Sequence, residues 1–272
     1  MVRSLWSGAT GMNAQQVNVD TIANNLANVN TVGYKAQDAQ FKSLFYQTLQ
    51  TKTTTANGAA KPTTSQVGLG VRTASINSLF SQGSLLSNDS NTAFAIQGDG
   101  FFAVRGNSNQ IMYTRNGDFT WSNSGTNSLT LSTQDGYPVL DTNGRVITLT
   151  GNYVTSNITI TGDGTICYPN QANQPVPLGI TIGMYQFQNV GGLERQGDTM
   201  YRATAASGVA MNEATNNNLT KSKMVQGYLE GSNVKVADEM VNLIVAQRAY
   251  EMNSKVITTS DDMLQTANQL KQ

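Results

Sequence analysis

The stretch that decides the fold is VNLIVAQRAYEMNSKVITTSDDMLQTANQL, residues 241–270. One set of its apolar side chains recurs every seven residues, a spacing that keeps them facing a single partner helix: Leu243, Tyr250, Ile257 and Leu264. A second set advances in steps of mostly three or four residues and lies on another face of the same helix: Val241, Val245, Ala249, Met252, Val256, Met263, Ala267 and Leu270. A helix with two apolar faces is predicted to need neighbours on two sides.

This C-terminal helix is predicted to begin after Ser232 or Asn233, either of which can cap its first turn. Asp238 and Glu239 follow near the positive end of the helix dipole. The helix should run for about 35 residues, roughly 55 Å. A helix of that length without interior breakers exceeds the usual globular range and indicates a coiled coil or an assembly element.

The N-terminal end has a matching pattern from residue 4 to about residue 30, where Asn30 and Gly33 supply a stop. Its apolar stripe consists of Leu5, Met12, Val19, Ile22, Leu26 and Val29. Gly8 and Gly11 near its start permit either close approach of another backbone or a frayed end. The stripes of both helices are interpreted as subunit-packing surfaces. A self-contained helical hairpin is the alternative, and it would leave the second C-terminal stripe exposed.

Strand and turn signals fill most of the chain between these helices. Residues 34–50 are apolar enough to pack and are predicted to be partly helical, whereas the Thr-rich residues 48–65 read as a loop or long hairpin. From residue 71 to about 218, alternating strands are separated by hairpin turns such as Asn116-Gly117 and Asp135-Gly136, whose glycines are predicted to have positive φ. The fold class is therefore α+β, with terminal helices in a coiled-coil-like α-domain and a β-rich antiparallel centre. The predicted divisions are 1–33 (N-terminal helix), 34–70 (connection), 71–218 (outer β domain) and 219–272 (return segment and C-terminal helix).

Composition argues against most enzymatic and nucleic-acid functions. Among 272 residues there is no histidine and one cysteine, so the commonest general base, the usual zinc ligands and any internal disulfide are missing. Seventeen basic residues balance seventeen acidic ones, so no general attraction to nucleic acid is expected. No stretch approaches the roughly 18 apolar residues of a membrane span, and the start lacks a signal-peptide core, so no membrane insertion is expected.

Three local patterns that resemble chemical sites are interpreted as structural. Gly98-Asp99-Gly100 lacks the third glycine and the following helix of a dinucleotide fingerprint. Residues 141–145 and 163–164 have too few carboxylates for calcium loops and read as hairpin turns. Cys167 lies in a strand-like stretch and reads as a packed thiol. We therefore predict no catalytic, cofactor or metal site.

Three blocks of sequence resemble those of the bacterial flagellar rod and hook proteins. The first is ANNLANVNT followed by GYK, residues 23–31 and 33–35, whose signature residues are Asn24, Asn25, Leu26, Ala27, Asn28 and Gly33. The second comprises interior segments such as AIQGDGFF at 95–102, and the third is the C-terminal run from GSNV at 231–234 to DML at 262–264. The resemblance spans nearly the whole chain.

Within that family, the opening RSLW at 3–6 and the length are most similar to subunits of the distal rod. The resemblance implies a structural, non-enzymatic protein of the basal body, outside the cytoplasmic membrane. Its copies would assemble into a helical tube that transmits torque, in contact with proximal rod proteins, hook protein and, as further candidates, the rings around the rod. It also implies passage through the flagellar type III export apparatus, for which Phe41 and Phe45 resemble the gate-recognition motif. Two core aromatics on one helical face are the plainer interpretation of that pair.

Rival functions remain open at this point. A proximal rod or hook-type subunit is the alternative within the same family. A surface-binding β-domain protein with helical stalks is the alternative of another class; it requires exposed aromatics near acidic residues, for which Trp121 and Tyr113 are the candidates. A cell-wall hydrolase is disfavoured by the missing histidine and the lack of a paired-carboxylate motif.

Overall fold

The structure is a computed structural model that describes residues 2–50, 65–125, 127–172, 174–216 and 218–270. The chain divides into two compact units. Unit 1 contains residues 1–27, 37–78 and 235–272, and unit 2 contains residues 28–36 and 79–234. The two terminal helices therefore lie in the same unit.

Unit 1 combines two long helices with two short antiparallel strand pairs. Its elements are α1 (Val2–Ala27), β1 (Gln37–Ser43), β2 (Tyr46–Gln50), β3 (Ser65–Gly68), β4 (Val71–Ser78) and α2 (Val236–Gln269). Strand β1 pairs with β4, from Gln37 opposite Ser78 to Ser43 opposite Val71, and β2 pairs with β3. Helix α1 packs against α2 and against the β1–β4 pair.

Unit 2 consists mainly of short antiparallel strands. They are β5 (Leu85–Ser87), β6 (Phe94–Gln97), β7 (Phe101–Arg105), β8 (Ile111–Thr114), β9 (Phe119–Gly125), β10 (Ser128–Thr133), β11 (Thr148–Thr150), β12 (Thr159–Ile160), β13 (Thr165–Pro169), β14 (Pro175–Thr181), β15 (Met184–Gln186), β16 (Glu194–Gly197), β17 (Met200–Arg202), β18 (Met211–Asn212), β19 (Lys223–Gln226) and β20 (Tyr228–Glu230). Its largest sheet has the order β16-β17-β8-β7-β15-β18. Two three-stranded sheets, β11-β10-β9 and β12-β13-β14, and the pairs β19-β6 and β20-β5 complete the unit.

Strand β7 lies at the centre of the core because both of its faces are covered. Phe102 and Val104 belong to the larger apolar cluster, whereas Phe101 and Ala103 point the other way into a second cluster with Tyr201. Alternate residues of a strand point to opposite faces, so a strand buried on both sides must be apolar throughout. The run FFAV at 101–104 meets that condition.

The turn predictions are confirmed where a positive φ is needed and wrong at one glycine. Gly136, Gly144 and Gly164 have φ of 85°, 75° and 82°, which side chains other than glycine adopt rarely. Gly117 is not among the described glycines with positive φ. A Cβ there would lie 1.8 Å from the carbonyl oxygen of Phe94, so close backbone approach requires that glycine.

The helices are confirmed in type and nearly in length, whereas two local predictions are wrong. Helix α2 has 34 residues, but its N-cap is Lys235, without a side-chain cap, because the side chain of Asn233 bonds elsewhere: its Oδ1 accepts from the Ala36 amide at 2.7 Å. Helix α1 ends at Ala27, three residues before the predicted stop. The helical tendency assigned to residues 34–50 is also wrong, since these residues form β1 and β2.

The observed units divide the chain differently from the predicted domains. Strand β4, placed in the outer domain, belongs to unit 1, and strands β19 and β20, placed in the return segment, belong to unit 2. Strands β2 and β3 flank the Thr-rich segment as an antiparallel pair. Residues 51–64 of that segment, on which the loop or hairpin prediction mainly falls, lie outside the described residues.

Candidate assembly surface

Helices α1 and α2 run antiparallel along their length in unit 1. At one end the Ser4 and Ser260 hydroxyl oxygens lie 3.2 Å apart, and at the other the Asn25 amide donates to Glu239 Oε1 at 3.1 Å. Residue numbers therefore rise along α1 as they fall along α2. The helical-hairpin alternative accounts for this face of α2. The coiled-coil-like character of the α-domain and the packing of the other α2 face on a sister subunit stay predictions.

Small residues let the two helices approach closely, so Gly8 and Gly11 take the first of the two roles weighed for them. A Cβ on Gly8 would lie 3.0 Å from Ile257 Cγ1, and one on Gly11 would lie 2.9 Å from the side-chain nitrogen of Asn253. On α2, Ala246 and Ser260 are buried in the same direction. Close approach at these positions depends on the absence of larger side chains.

The seven-residue stripe of α2 lies mostly towards α1. Leu243, Ile257 and Leu264 are half-buried, whereas Tyr250 is 42% exposed at the side of the contact. Sequence reasoning missed Ala246, Asn253 and Ser260, which follow stripe members by three residues and complete the packed face. Their position three residues after each stripe member could have indicated that they lie on the packed face. The pattern was hard to recognise because these side chains are small or polar rather than large and apolar.

The second stripe of α2 is uncovered in the single chain. Its larger apolar side chains are between 45% and 84% exposed: Val241, Val245, Met252, Val256, Met263 and Leu270. They follow one another by four or seven residues, which places them on one face about a quarter turn or more from the face packed on α1. Contiguous apolar surface of this kind on a folded protein marks an interaction site.

The apolar stripe of α1 is largely covered. Ile22 is buried and the described side chains of Leu5, Met12, Val19 and Leu26 are buried or half-buried. Val29 lies beyond the end of the helix, in unit 2, where it packs against Tyr34, Ala36 and Val234. The exposed side of α1 includes Trp6, which is 66% exposed. Of the two helices, α2 therefore carries more of the uncovered apolar surface.

Phe41 and Phe45 do not lie on a helix. The interpretation of this pair as two core aromatics on one helical face is therefore wrong. Phe41 is half-buried in β1 opposite Thr73, and Phe45 is 87% exposed between β1 and β2. Nothing in the structure tests their role in export, which stays a prediction.

The signature residues fix the end of α1 in place. Asn25 is buried, and its amide group makes two hydrogen bonds of 2.8 Å with the backbone N–H and C=O of Gln37, as a neighbouring strand would. Asn24 donates to the Gln37 side chain at 3.3 Å. In unit 2, Gly33 has φ of 69°, and a Cβ on it would lie 2.6 Å from the Asn116 amide nitrogen. These roles are structural. They explain why asparagine occupies positions 24 and 25 and why glycine occupies position 33.

A buried group of three charges holds unit 2 together, and sequence reasoning missed it. Lys35 Nζ lies 2.6 Å from Glu230 Oε1 and Arg115 lies 3.2 Å from Oε2, with all three side chains at most 2% exposed. Burial lowers the pKa of Lys35, against the opposing attraction of Glu230. No sequence pattern couples residues so far apart in the chain.

A further titratable group lies at the start of α2. Burial raises the pKa of Glu239, and the hydrogen bond from Asn25 opposes that rise while the charges of Asp38 and Asp238 add to it. The carboxylates near this helix end therefore repel one another. Because Asn25 belongs to α1, the charge state of Glu239 affects the helix pair.

Two of the remaining candidates, Cys167 and Tyr113, are buried. Cys167 is buried in β13, as predicted. Tyr113 is buried, which raises its pKa to about 12, so only Trp121 of the two aromatics required by the surface-binding alternative reaches the surface. Across the described part of the chain no group of three or more acidic or cysteine side chains is arranged to hold a metal ion, and no helix is long and apolar enough to span a bilayer.

Comparison with known families places three flagellar segments along this chain. Residues 5–35 match the model for flagella basal body rod proteins, residues 95–168 match the D1 domain of the flagellar hook proteins FlgE, FlgF and FlgG, and residues 225–270 match the C-terminal segment of the basal-body rod FlgEFG proteins.

Proteins that match this chain over nearly its full length are flagellar proteins as well. The chain is 41% identical to the flagellar basal-body rod protein FlgG of Buchnera aphidicola over 99% of this chain and 100% of that protein. It is 41% identical to FlgG of Borreliella burgdorferi over 100% and 99%. It is 33% identical to the flagellar hook-basal body complex protein FlhP of Bacillus subtilis over the full length of both.

Proposed function

The chain belongs to the family of flagellar basal-body rod proteins, and from that premise we propose that it builds the distal rod as one subunit of a helical tube that carries motor torque to the hook. It is a structural component of the basal body, outside the cytoplasmic membrane, and not an enzyme, in keeping with relatives that are rod proteins over their whole length. The chain is 36–42% identical to FlgG proteins and 33% identical to FlhP, which supports the FlgG-type subunit over the FlhP-type one.

The observation that carries the proposal is the uncovered stripe of α2, Val241 to Leu270, beside a face already occupied by α1. Burying an apolar side chain of the size of valine or methionine stabilises an association by roughly 1.5–3 kcal/mol. Several such side chains in one row can offset the entropy lost on association only if a complementary helix covers them together. A sister copy supplies such a helix, and a tube results when the contact repeats without closing on itself.

The proposal extends to partners and export. The same axial contacts at the ends of the assembly would be made with proximal rod proteins and with hook protein, and the outer surface would face the rings around the rod. Export through the type III apparatus would use the segment around Phe41 and Phe45, of which Phe45 is the accessible member.

The test is polymerisation of stripe variants. Val245→Asp and Met252→Asp place a charge where a sister helix should pack, so both should stay monomeric with unchanged helix content, because an unpaired charge is costly to bury. Thr258→Asp, on the other side of α2 and exposed, is the matched control and should polymerise normally. Leu243→Asp, which faces α1, should instead reduce helix content in the monomer.

The measurements are sedimentation velocity, electron microscopy under polymerising conditions and circular dichroism. Tubes formed as readily by Val245→Asp as by the unmodified protein would exclude this face as the assembly surface.

A further inference from the structure

A groove on unit 2, lined by no residue of α1 or α2, is a candidate ligand site. Its volume is about 370 Å³ and it is lined by residues of three separate segments: Asp89, Asn91, Thr120, Trp121, Thr155 and Ser156. Trp121, in β9 opposite Leu131, packs partly on the larger apolar cluster and leaves the rest of its ring at the groove. An aromatic platform therefore lies among short polar side chains.

Several polar groups in the groove have no partner among the described residues. The indole N–H of Trp121, the hydroxyls of Thr120 and Thr155 and the carboxylate of Asp89 take part in none of the hydrogen bonds or ion pairs formed there. They offer donors and acceptors around the aromatic ring, the combination that orients a small polar ligand in a pocket.

The walls of the groove are fixed to one another. The Asn91 side chain donates to the Ser156 carbonyl at 2.6 Å, and the Gln226 side chain donates to the Asn91 carbonyl at 2.7 Å. Gln226 also accepts from the Ile160 amide at 3.0 Å, which ties in the chain beyond Ser156. A ligand would therefore meet a preformed surface, and less entropy would be lost on binding.

The lining chemistry narrows the ligand class. Asp89 is the only ionisable side chain at the groove among the described residues, and no described cation lines it, which disfavours phosphate and other anions. The hydroxyl, amide and carboxylate groups suit a ligand rich in hydroxyls, and the face of an indole suits the apolar face of a sugar ring. We propose that this groove binds a short segment of a neutral carbohydrate chain.

The experiment uses the full chain with Trp6→Phe, which leaves Trp121 as its single tryptophan. Soluble oligomers of N-acetylglucosamine and of glucose are titrated while Trp121 emission is followed, with calorimetry as a second readout. We expect a saturable emission change with at least one of the two series. Asp89→Ala and Thr155→Val should weaken binding about tenfold, whereas Thr150→Val, an exposed threonine of β11 outside the groove, should not change it.

Two kinds of result would overturn the proposal. One is no saturable signal up to about 10 mM oligosaccharide, a concentration that would detect affinities weaker than those of most specific sites. The other is binding that Asp89→Ala and Thr155→Val leave unchanged. If these variants impair tube formation while no oligosaccharide binds, the groove takes a second copy of this chain instead. Unchanged thermal unfolding of the variants establishes that any loss of binding is local.

Discussion

Replacing Glu230 with glutamine should strongly destabilise unit 2. Glu230 neutralises two buried cations, with Lys35 Nζ at 2.6 Å and Arg115 at 3.2 Å. A glutamine side chain would keep a similar shape but leave both positive charges without a counterion. Breaking a buried ion pair by removing one partner costs roughly 3–5 kcal/mol. Against a typical domain stability of about 5–15 kcal/mol, that loss takes a large share.

The assay is urea unfolding followed by the fluorescence of Trp121, in the Trp6→Phe background that leaves it as the single tryptophan. The matched control is Glu194→Gln, which breaks the ion pair with Arg202 in the same unit; there the side chains are 49% and 42% exposed. Exposed pairs contribute about 0–1 kcal/mol, so the control should unfold almost as the unmodified protein does. Comparable midpoints for the two variants would refute the reasoning.

The pH dependence gives a second signature of the same site. Because burial holds the pKa of Lys35 below 10.5, the folded state binds fewer protons there than the unfolded state, and stability should rise as pH increases towards 10.5. Loss of Glu230 lowers the pKa of Lys35 further, so the rise should begin at lower pH in Glu230→Gln. Replacing Lys35, Arg115 and Glu230 together by Met, Met and Leu should restore much of the stability, since buried ion groups can often be exchanged for apolar ones.

Three further predictions concern unit 1. Gly8→Leu should weaken the packing of α1 on α2 by about 1–3 kcal/mol. The measurement is the loss of helical circular dichroism on heating, and Ala9→Leu, on the exposed side of α1, should show no such loss. Equal effects of the two variants would contradict close packing at Gly8. Phe41→Ala should leave purified protein able to polymerise but block its secretion, with Tyr46→Ala as the exposed control; normal secretion of Phe41→Ala would remove the gate role. The raised pKa of Glu239 contributes stability that is present below pH 4.5 and is lost as the pH rises through the pKa of Glu239 in the folded state. Acidification should therefore raise the melting temperature of the helix pair. Glu239→Gln should lack that response.

The helices could be predicted from the sequence because their signal is repeated many times. Leu243, Ile257 and Leu264 each report the same face, so an error at one position does not move the helix. The segment around Phe41 has no such redundancy. Its apolar residues are compatible with either a helix or a strand. It forms a strand because β1 pairs with β4, which lies more than twenty residues further along the chain.

The buried charges could not be predicted for a different reason. Lys35, Arg115 and Glu230 lie on three distant segments, and each by itself reads as an ordinary surface residue. Asn233 was misassigned similarly, because its side chain can cap a helix but bonds instead to Ala36 and to the carbonyl of Leu79. Polar side chains offer many partners, and only the folded chain selects among them.

The composition of the helix pair explains why one face of α2 stays available. Close packing on α1 is achieved with glycine, alanine and serine, namely Gly8, Gly11, Ala246 and Ser260, together with a few half-buried leucine and isoleucine side chains. The large flexible side chains Met252 and Met263 are kept for the uncovered face. Small residues on one side permit one close intramolecular contact, whereas the methionine and valine side chains on the other suit the sister copy that we propose as the partner. Exchanging these sets, so that the large residues faced α1, would separate the helices and leave nothing apolar for another copy to cover.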